Sequence, residues 1–388
     1  MAESPSHKAG WPPMPERAPL FPAERRHLES LTDSFGIQQH ARGSVPDPAF
    51  GTCTDDVARA LIVDLDHADT LGWDAVDASV RRSVAYLEAA FQPSVGRFRN
   101  FRSSCGTWLD EGGSEDCQGR ALLGLAHTAA RAHPSDVSGT ASRLLEEAVP
   151  LSAGLSTVRG LSWASLALAT TADMPEHAPL LPDLERLADR LEATFTGGAY
   201  RHEWPWPEEA VTYESALPPR ALITVGDRLG RPRMVDRGLL TLDWLRSSET
   251  SGAGLFRPIG NQGWWSKGGV RATFDQQPIE AGSVVLAAEA AFAVRAAAAD
   301  LDAGDRAYAW FLGANEFGIS VADPARGSCH DGLGPSEANP NQGAESTLAW
   351  LSAVEAIRRL RRPTLSQGGR TPVDGEAVGR RGHTPAPD

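Results

Sequence analysis

One recurring grammar constrains this chain more than any other feature: a small or polar residue, one or two carboxylates, then a helix rich in alanine and leucine. It is plainest from Gly51 to Leu61, Gly-Thr-Cys-Thr-Asp-Asp-Val-Ala-Arg-Ala-Leu. It returns as Ser114-Glu115-Asp116-Cys117 before Arg120-Ala121-Leu122, and as Thr212-Tyr213-Glu214-Ser215 before Arg220-Ala221-Leu222. Two versions diverge further, Asp275-Gln276-Gln277-Pro278-Ile279-Glu280 and Asn341-Gln342-Gly343-Ala344-Glu345. A sixth helix of the same character, near Arg159 to Leu168, has no acid at its start. Each of the first five reads as an acidic helix start feeding a buried helix.

Helical periodicity alternates between two kinds of segment. Amphipathic segments with charged faces fall at 22–33, 75–91, 138–152, 182–196, 232–246 and 302–313. Segments apolar on nearly every side fall at 55–69, 116–131, 158–171, 215–229, 278–298 and 343–360. A helix apolar all round is buried all round. Six of each, alternating, predict six helical hairpins closed into a ring, an all-α (α/α)6 toroid whose inner helices lack a polar face. An open solenoid is the competing architecture, but polar capping repeats and a regular repeat length are not evident. The ring is expected over residues 21–361, with a flexible arm at 1–20 and a Pro/Gly/Arg-rich tail at 362–388.

Composition narrows the partners. Of 388 residues 41% are hydrophobic, enough for one large core, and no apolar run reaches the length of a membrane span. A formal charge of −13 argues against a nucleic-acid backbone as partner. The proline-rich residues 1–19 contain no apolar h-region, so a cytoplasmic location is expected. Cys53, Cys105, Cys117 and Cys329 lack paired zinc-type spacing and are expected to be unpaired.

The unusual residues cluster in the connections that precede the acidic helix starts, and therefore at one mouth of the ring. These are Phe98 to Gly113 with Trp108, Arg201 to Thr212 with Trp204 and Trp206, Leu255 to Phe274 with Trp264 and Trp265, and Gly318 to Asn341 with His330 and Asp331. Long loops in a compact domain are usually functional. An indole face packs on the C–H face of a pyranose while carboxylates and amides bind its hydroxyls, so this mouth suits a sugar.

Longer strings carry a resemblance. Phe35-Gly36-Ile37-Gln38-Gln39-His40-Ala41-Arg42, CTDDVARAL, GSEDCQGRAL, WPW with TYESALPPRAL, GGVRATFDQQPIEAG, and CHDGL with NQGAESTLAWL together span about residues 30 to 360. They resemble a bacterial family with a six-hairpin glycosidase-type module, often fused to or encoded near family-4-type glycosyltransferases. The resemblance implies the toroid, a carbohydrate ligand and a glycosyltransferase partner. This chain departs from the family where Val57 replaces the usual Asn after the Asp pair, and where Glu214-Ser215 replaces the usual Asp-Asn after Tyr213.

Residue chemistry then points to glycoside hydrolysis of an oligosaccharide or glycoside, which needs a protonated carboxyl and a second carboxylate. No metal or organic cofactor is expected. Aligning the repeats on Thr54 and Ser114 pairs Asp56 with Asp116; aligning them on Arg-Ala-Leu pairs Asp55 with Asp116. The catalytic candidates are Asp275, Asp116 and Asp56. Asp275 is singular, because it lies outside its helix beside two amides and ahead of Pro278. The candidates for substrate contact are His40, Arg42, Asp55, Trp108, Glu115, Trp204, Trp206, Tyr213, Glu214, Trp264, Gln276, Gln277, Glu280, His330, Asp331, Asn341, Gln342 and Glu345. First-turn acids also serve as plain capping groups, which is the competing reading for each of them. Three other functions compete: a non-catalytic glycan-binding or partner module, a sugar epimerase or isomerase using His40, His202 or His330, and a zinc cyclase using Cys329 and His330 with Cys117 or Cys53.

Overall fold

The computed structural model describes residues 17–362. Twelve α-helices follow one another: α1 (Arg26–Ser30), α2 (Thr54–Leu71), α3 (Asp77–Ala90), α4 (Glu115–Arg131), α5 (Ser135–Ala148) and α6 (Val158–Thr171). Then come α7 (Leu181–Thr194), α8 (Leu217–Arg228), α9 (Pro232–Ser248), α10 (Pro278–Arg295), α11 (Ala298–Phe311) and α12 (Ala344–Leu360). Each even-numbered helix packs on the next even-numbered one, and α12 returns to pack on α2, so the inner ring closes. The odd-numbered helices lie outside. The architecture is the (α/α)6 toroid.

Burial follows the two sequence patterns except in the segment expected to be amphipathic at 302–313, where α11 is buried from Gly304 to Phe311. Nearly every residue of α6, from Val158 to Ala169, is buried, whereas α7 buries only Leu184, Leu187, Ala188 and Leu191 along one stripe. Where α4 meets α6 the backbones approach so closely that a Cβ on Gly119 would lie 2.5 Å from the Cβ of Trp163. Glycine is required there by packing, despite its cost within a helix.

Several boundaries differ from expectation for local reasons. The expected helix at 22–33 is reduced to α1, because Asp33 accepts the Phe35 and Gly36 N–H groups and turns the chain. This short outer element is fastened to the ring by Arg25, which donates to Asp64 (2.5 Å) and to His67 Nδ1 (2.9 Å). Segment 138–152 begins earlier, at Ser135, and passes into a 3₁₀ turn at Val149–Gly154, where Pro150 cannot continue the α ladder. The expected inner helix at 215–229 starts at Leu217, with Pro218 in its first turn.

Residues 1–16 of the expected arm and 363–388 of the expected tail lie outside the described residues. Residues 17–19 contact the ring: Arg17 pairs with Asp305 (2.9 Å), Arg361 donates to the Ala18 carbonyl (2.7 Å), and Tyr308 donates to that of Pro19 (3.0 Å). Among the described residues no helix is long and apolar enough to cross a membrane.

Candidate active site

The N-termini of the inner helices share one mouth, and their caps set the register of the acidic repeat. Cys53 Sγ accepts the Asp56 N–H (3.4 Å), Ser114 Oγ accepts that of Cys117 (3.2 Å), and Thr157 Oγ1 accepts that of Gly160 (3.1 Å). Caps at Cys53 and Ser114 make Asp55 the equivalent of Asp116, and Asp56 the equivalent of the buried Cys117. The alignment on Arg-Ala-Leu is therefore the structural one.

A cavity of about 330 Å³ opens at this mouth. Six of the sequence-derived candidates line it: His40, Asp55, Asp56, Gln277, Asp331 and Glu345. The sequence reading missed Arg59, Arg120 and Phe101, which also line it. The two arginines were visible as the residue four places after Asp55 and Asp116, a spacing at which charges of opposite sign meet on one helix face. Phe101, exposed at the rim, offers an apolar face where the sequence reading expected an indole.

Two guanidiniums tie the helix starts together across sectors. Arg59 pairs with Asp56 (2.7 Å) and with Glu345 of α12 (2.8 Å). Arg120 pairs with Asp55 of α2 (2.9 Å) and with Glu214, and lies 3.9 Å from Asp116. Burial alone would raise the Asp55 carboxyl, but Arg120, Arg59 and the Asn100 amide (2.7 Å) outweigh it and hold Asp55 below the usual carboxylate range. Asp56 goes the other way. It is 4% exposed, and burial, joined by the negative field of Glu345, raises it despite Arg59.

Asp331 faces the same cavity from the loop before α12. Burial raises its carboxyl, although the Gly343 N–H donates to it (2.7 Å). Asp275 stands beside it: a Cβ on Gly332 would lie 2.6 Å from the Asp275 carboxylate, so the backbone next to Asp331 packs directly on Asp275. Asp275 Oδ1 is buried with no hydrogen-bond partner among the described residues. Its carboxyl is raised by burial and then by the charge of Asp331.

The remaining candidates have other duties. Asp116 accepts the Tyr213 hydroxyl (3.0 Å), and Tyr213 is pushed up to about 12 by burial and by that carboxylate. Arg159 lies 4.3 Å over the Tyr213 ring and donates to the Tyr213 carbonyl (2.6 Å), while Trp264 packs 6.4 Å from that ring. Glu115 caps the next inner helix, accepting the N–H groups of Ser156 (2.7 Å) and Thr157 (2.6 Å). Trp204 and Trp206, expected at the pocket, are buried, and their indole N–H groups donate to the carbonyls of Glu208 and Ala210. Trp108 packs edge-on against Tyr86. Arg42 projects into solvent and pairs with Asp47 (2.7 Å). Gln276 accepts the Trp310 indole N–H (2.9 Å). His330 Nδ1 donates to the Asn339 carbonyl (2.7 Å), and its Nε2 faces the Gln342 amide (3.5 Å). Asn341 Oδ1 accepts the Gly43 N–H (3.1 Å). Among the described residues no three His, Cys, Asp or Glu side chains form a metal-ligand set.

Glu214 and Glu280 belong to a deeper layer. Glu214 has φ +47°, a conformation unfavourable for a residue with a Cβ. The Glu280 carboxylate fixes this turn by accepting the N–H groups of Glu214 (2.7 Å) and Ser215 (3.1 Å). Burial pushes Glu280 up to about 7 and, with the Glu280 charge, Glu249 up to about 8. Carboxyls raised in the fold favour their protonated form, so their contribution to stability is complete below about 4.5 and is lost as pH rises through 7 to 8. Glu249→Gln keeps the acceptor for the Ser215 hydroxyl and removes the ionisation. It is expected to raise the unfolding midpoint by roughly 2–5 °C at pH 8 and to change nothing near pH 4.5. Thermal scans at the two pH values check this, and an equal shift at both would rule the charge out as its cause.

Fold and mouth together define an (α/α)6 toroid with an acidic, arginine-braced pocket at the N-termini of its inner helices. Solved structures share this architecture. A sugar epimerase from a ruminal bacterium aligns over 85% of this chain and 94% of its own, with a TM-score of 0.66 at 11% identity. Cellobiose 2-epimerase from Bacillus thermoamylovorans aligns over 86% and 98%, with a TM-score of 0.64 at 12% identity. An α-mannanase from Bacteroides thetaiotaomicron aligns over 80% and 86%, with a TM-score of 0.56 at 8% identity. At these identities the likeness is one of fold. No family model matches the chain, and no curated protein matches its sequence.

Proposed function

We propose that the mouth pocket is the active site of a glycoside hydrolase. The supporting observation is that two carboxyls lining one cavity are pushed in opposite directions, Asp331 upward by burial and Asp55 downward by Arg120. Such divergence is how an acid and a base are distinguished within one site. In this reading Asp331, beside Asp275, delivers its proton to the leaving glycosidic oxygen as the bond to the anomeric carbon breaks. Asp55 attacks that carbon or takes a proton from the water that does. Phe101 supplies an apolar platform, and His40, Gln277 and Glu345 supply groups for the sugar hydroxyls.

The test is a panel of oligosaccharides and aryl glycosides followed by proton NMR. New reducing ends are expected with the native protein, and their loss with retained binding in Asp331→Asn and Asp55→Asn. Wild-type turnover by both variants would sink the reading. An epimerase or isomerase is the second reading, favoured by His40 at the pocket and by the epimerases among the similar folds. It predicts a rearranged sugar with its glycosidic bonds intact in the same spectra. We further propose a cytoplasmic protein that works beside a glycosyltransferase, following the sequence resemblance; failure of the two proteins to act on a common glycan would remove that partner.

A further inference from the structure

Beneath the mouth pocket the inner helices enclose a second cavity of about 470 Å³. Arg59, Arg120 and Glu345 line both spaces and form the partition between them. The lower cavity runs along the ring axis to the C-terminal ends of the inner helices. There the charges are paired: Arg131 with Asp66 (2.7 Å) and Asp69 (2.8 Å), and Arg359 with Asp66 (3.1 Å) and Glu289 (2.6 Å).

Arg220, on the first turns of α8, breaks this pattern. Its side chain lines the cavity, yet among the described residues it has neither a hydrogen-bond acceptor nor an ion-pair partner. Desolvation holds its pKa below the ordinary arginine value; the nearby negative charge of Glu289 opposes this, and Arg359 reinforces it. The carboxylates of Glu289, Glu214 and Asp66 act on it only at a distance, and a desolvated guanidinium with no acceptor in direct contact is unfavourable. Two more polar groups of the cavity wall are orphaned: His127 Nδ1 and Trp163 Nε1 are buried without partners. Ile62, Leu123 and Leu286 make the rest of the wall largely apolar.

We propose that this axial cavity is a second ligand site, separate from the mouth pocket, for a small polyhydroxylated carboxylic acid the size of one sugar acid, its carboxylate on Arg220. A carboxylate matches the guanidinium fork in charge and in geometry. One unpaired cation calls for a monoanion. A doubly charged phosphate would be left with an uncompensated charge among Glu214, Glu289 and Asp66, which already occupy their own arginines. The apolar wall suits the C–H faces of a ring and the orphaned indole and imidazole groups suit its hydroxyls.

The site is independent of turnover at the mouth, and its test is a binding measurement. Titration calorimetry compares D-glucuronate and D-galacturonate with the neutral D-glucuronamide. At least one acid is expected to bind native protein about tenfold or more tightly than the amide, a preference worth about 1.4 kcal/mol. Arg220→Met should abolish the preference and, having lost a desolvated charge with no direct partner, should unfold at a higher temperature than the native protein. Arg220→Lys should keep part of the preference, and Asp55→Asn all of it. Binding of neither acid, equal binding of acid and amide, or a preference that survives in Arg220→Met would each overturn the proposal. Loss of hydrolysis with this preference intact would instead bear on the mouth alone.

Discussion

Arg120→Met should destabilise the protein by about 3–5 kcal/mol at neutral pH, the range expected when one partner of a buried ion pair is removed and the other stays charged. Arg120 is 7% exposed, holds Asp55 and Glu214 at once, and lies 5.3 Å over the Trp163 ring. Methionine fills comparable space and retains contact with the indole, so the loss is chiefly one of charge. The pH dependence separates the two contributions. Asp55 has a folded pKa below its ordinary value of 3.8, so its contribution is present above that value and disappears as pH falls through the folded pKa. Denaturant unfolding of native and variant protein should therefore show a wide gap at pH 7 that narrows below pH 3.8. A gap of constant width would assign the loss to packing. Arg120→Lys should recover only part, since an ammonium cannot span both carboxylates as the fork does.

The ring was legible because its signal is local and repeated. Inner helices such as Val158–Thr171 are apolar on every side and outer ones such as Leu181–Thr194 on one stripe, the contrast a two-layered ring produces, although outer α11 departs from it by burying every residue from Gly304 to Phe311. The mouth followed from the common position of the acidic starts. The division of labour among those acids did not follow, because their partners lie far along the chain. Glu115 looks like Asp55 in sequence, but it is committed to the start of α6 at Ser156 and Thr157. Glu280 holds the turn at Glu214, and Gln276 holds Trp310. The tryptophans misled for the opposite reason. Trp204 and Trp206 lie in a loop, yet each indole N–H donates to a carbonyl only four residues on, at Glu208 and Ala210, which lets the rings be buried there. Loop position marked them for the pocket, while local hydrogen bonding made them core.

If Asp55 and Asp331 carry out hydrolysis, replacing either should lower kcat/KM by about 10²–10⁴-fold, the range for a positioned proton-transfer group. The two losses should differ in their pH signature. Asp331 must be protonated to act, so activity falls as pH rises through its raised pKa, and Asp331→Asn removes this alkaline limb from the residual activity. Asp55 must be ionised, so activity falls as pH drops through its depressed pKa, and Asp55→Ala removes the acid limb. Azide added to Asp55→Ala supplies a small anion where the carboxylate stood. A glycosyl azide of inverted configuration would show that Asp55 lies against the anomeric carbon, and the anomer first released by the native protein would tell a retaining site from an inverting one. Asp55→Asn guards against a trivial collapse, because the amide oxygen still accepts from Arg120, and the charge is lost together with the single bond from the Asn100 amide. A fully active, stably folded Asp55→Asn protein would leave Asp55 as a bracing residue for Arg120. The chemistry would then pass to Asp275 and Asp331, where one carboxyl can ionise while holding its neighbour protonated.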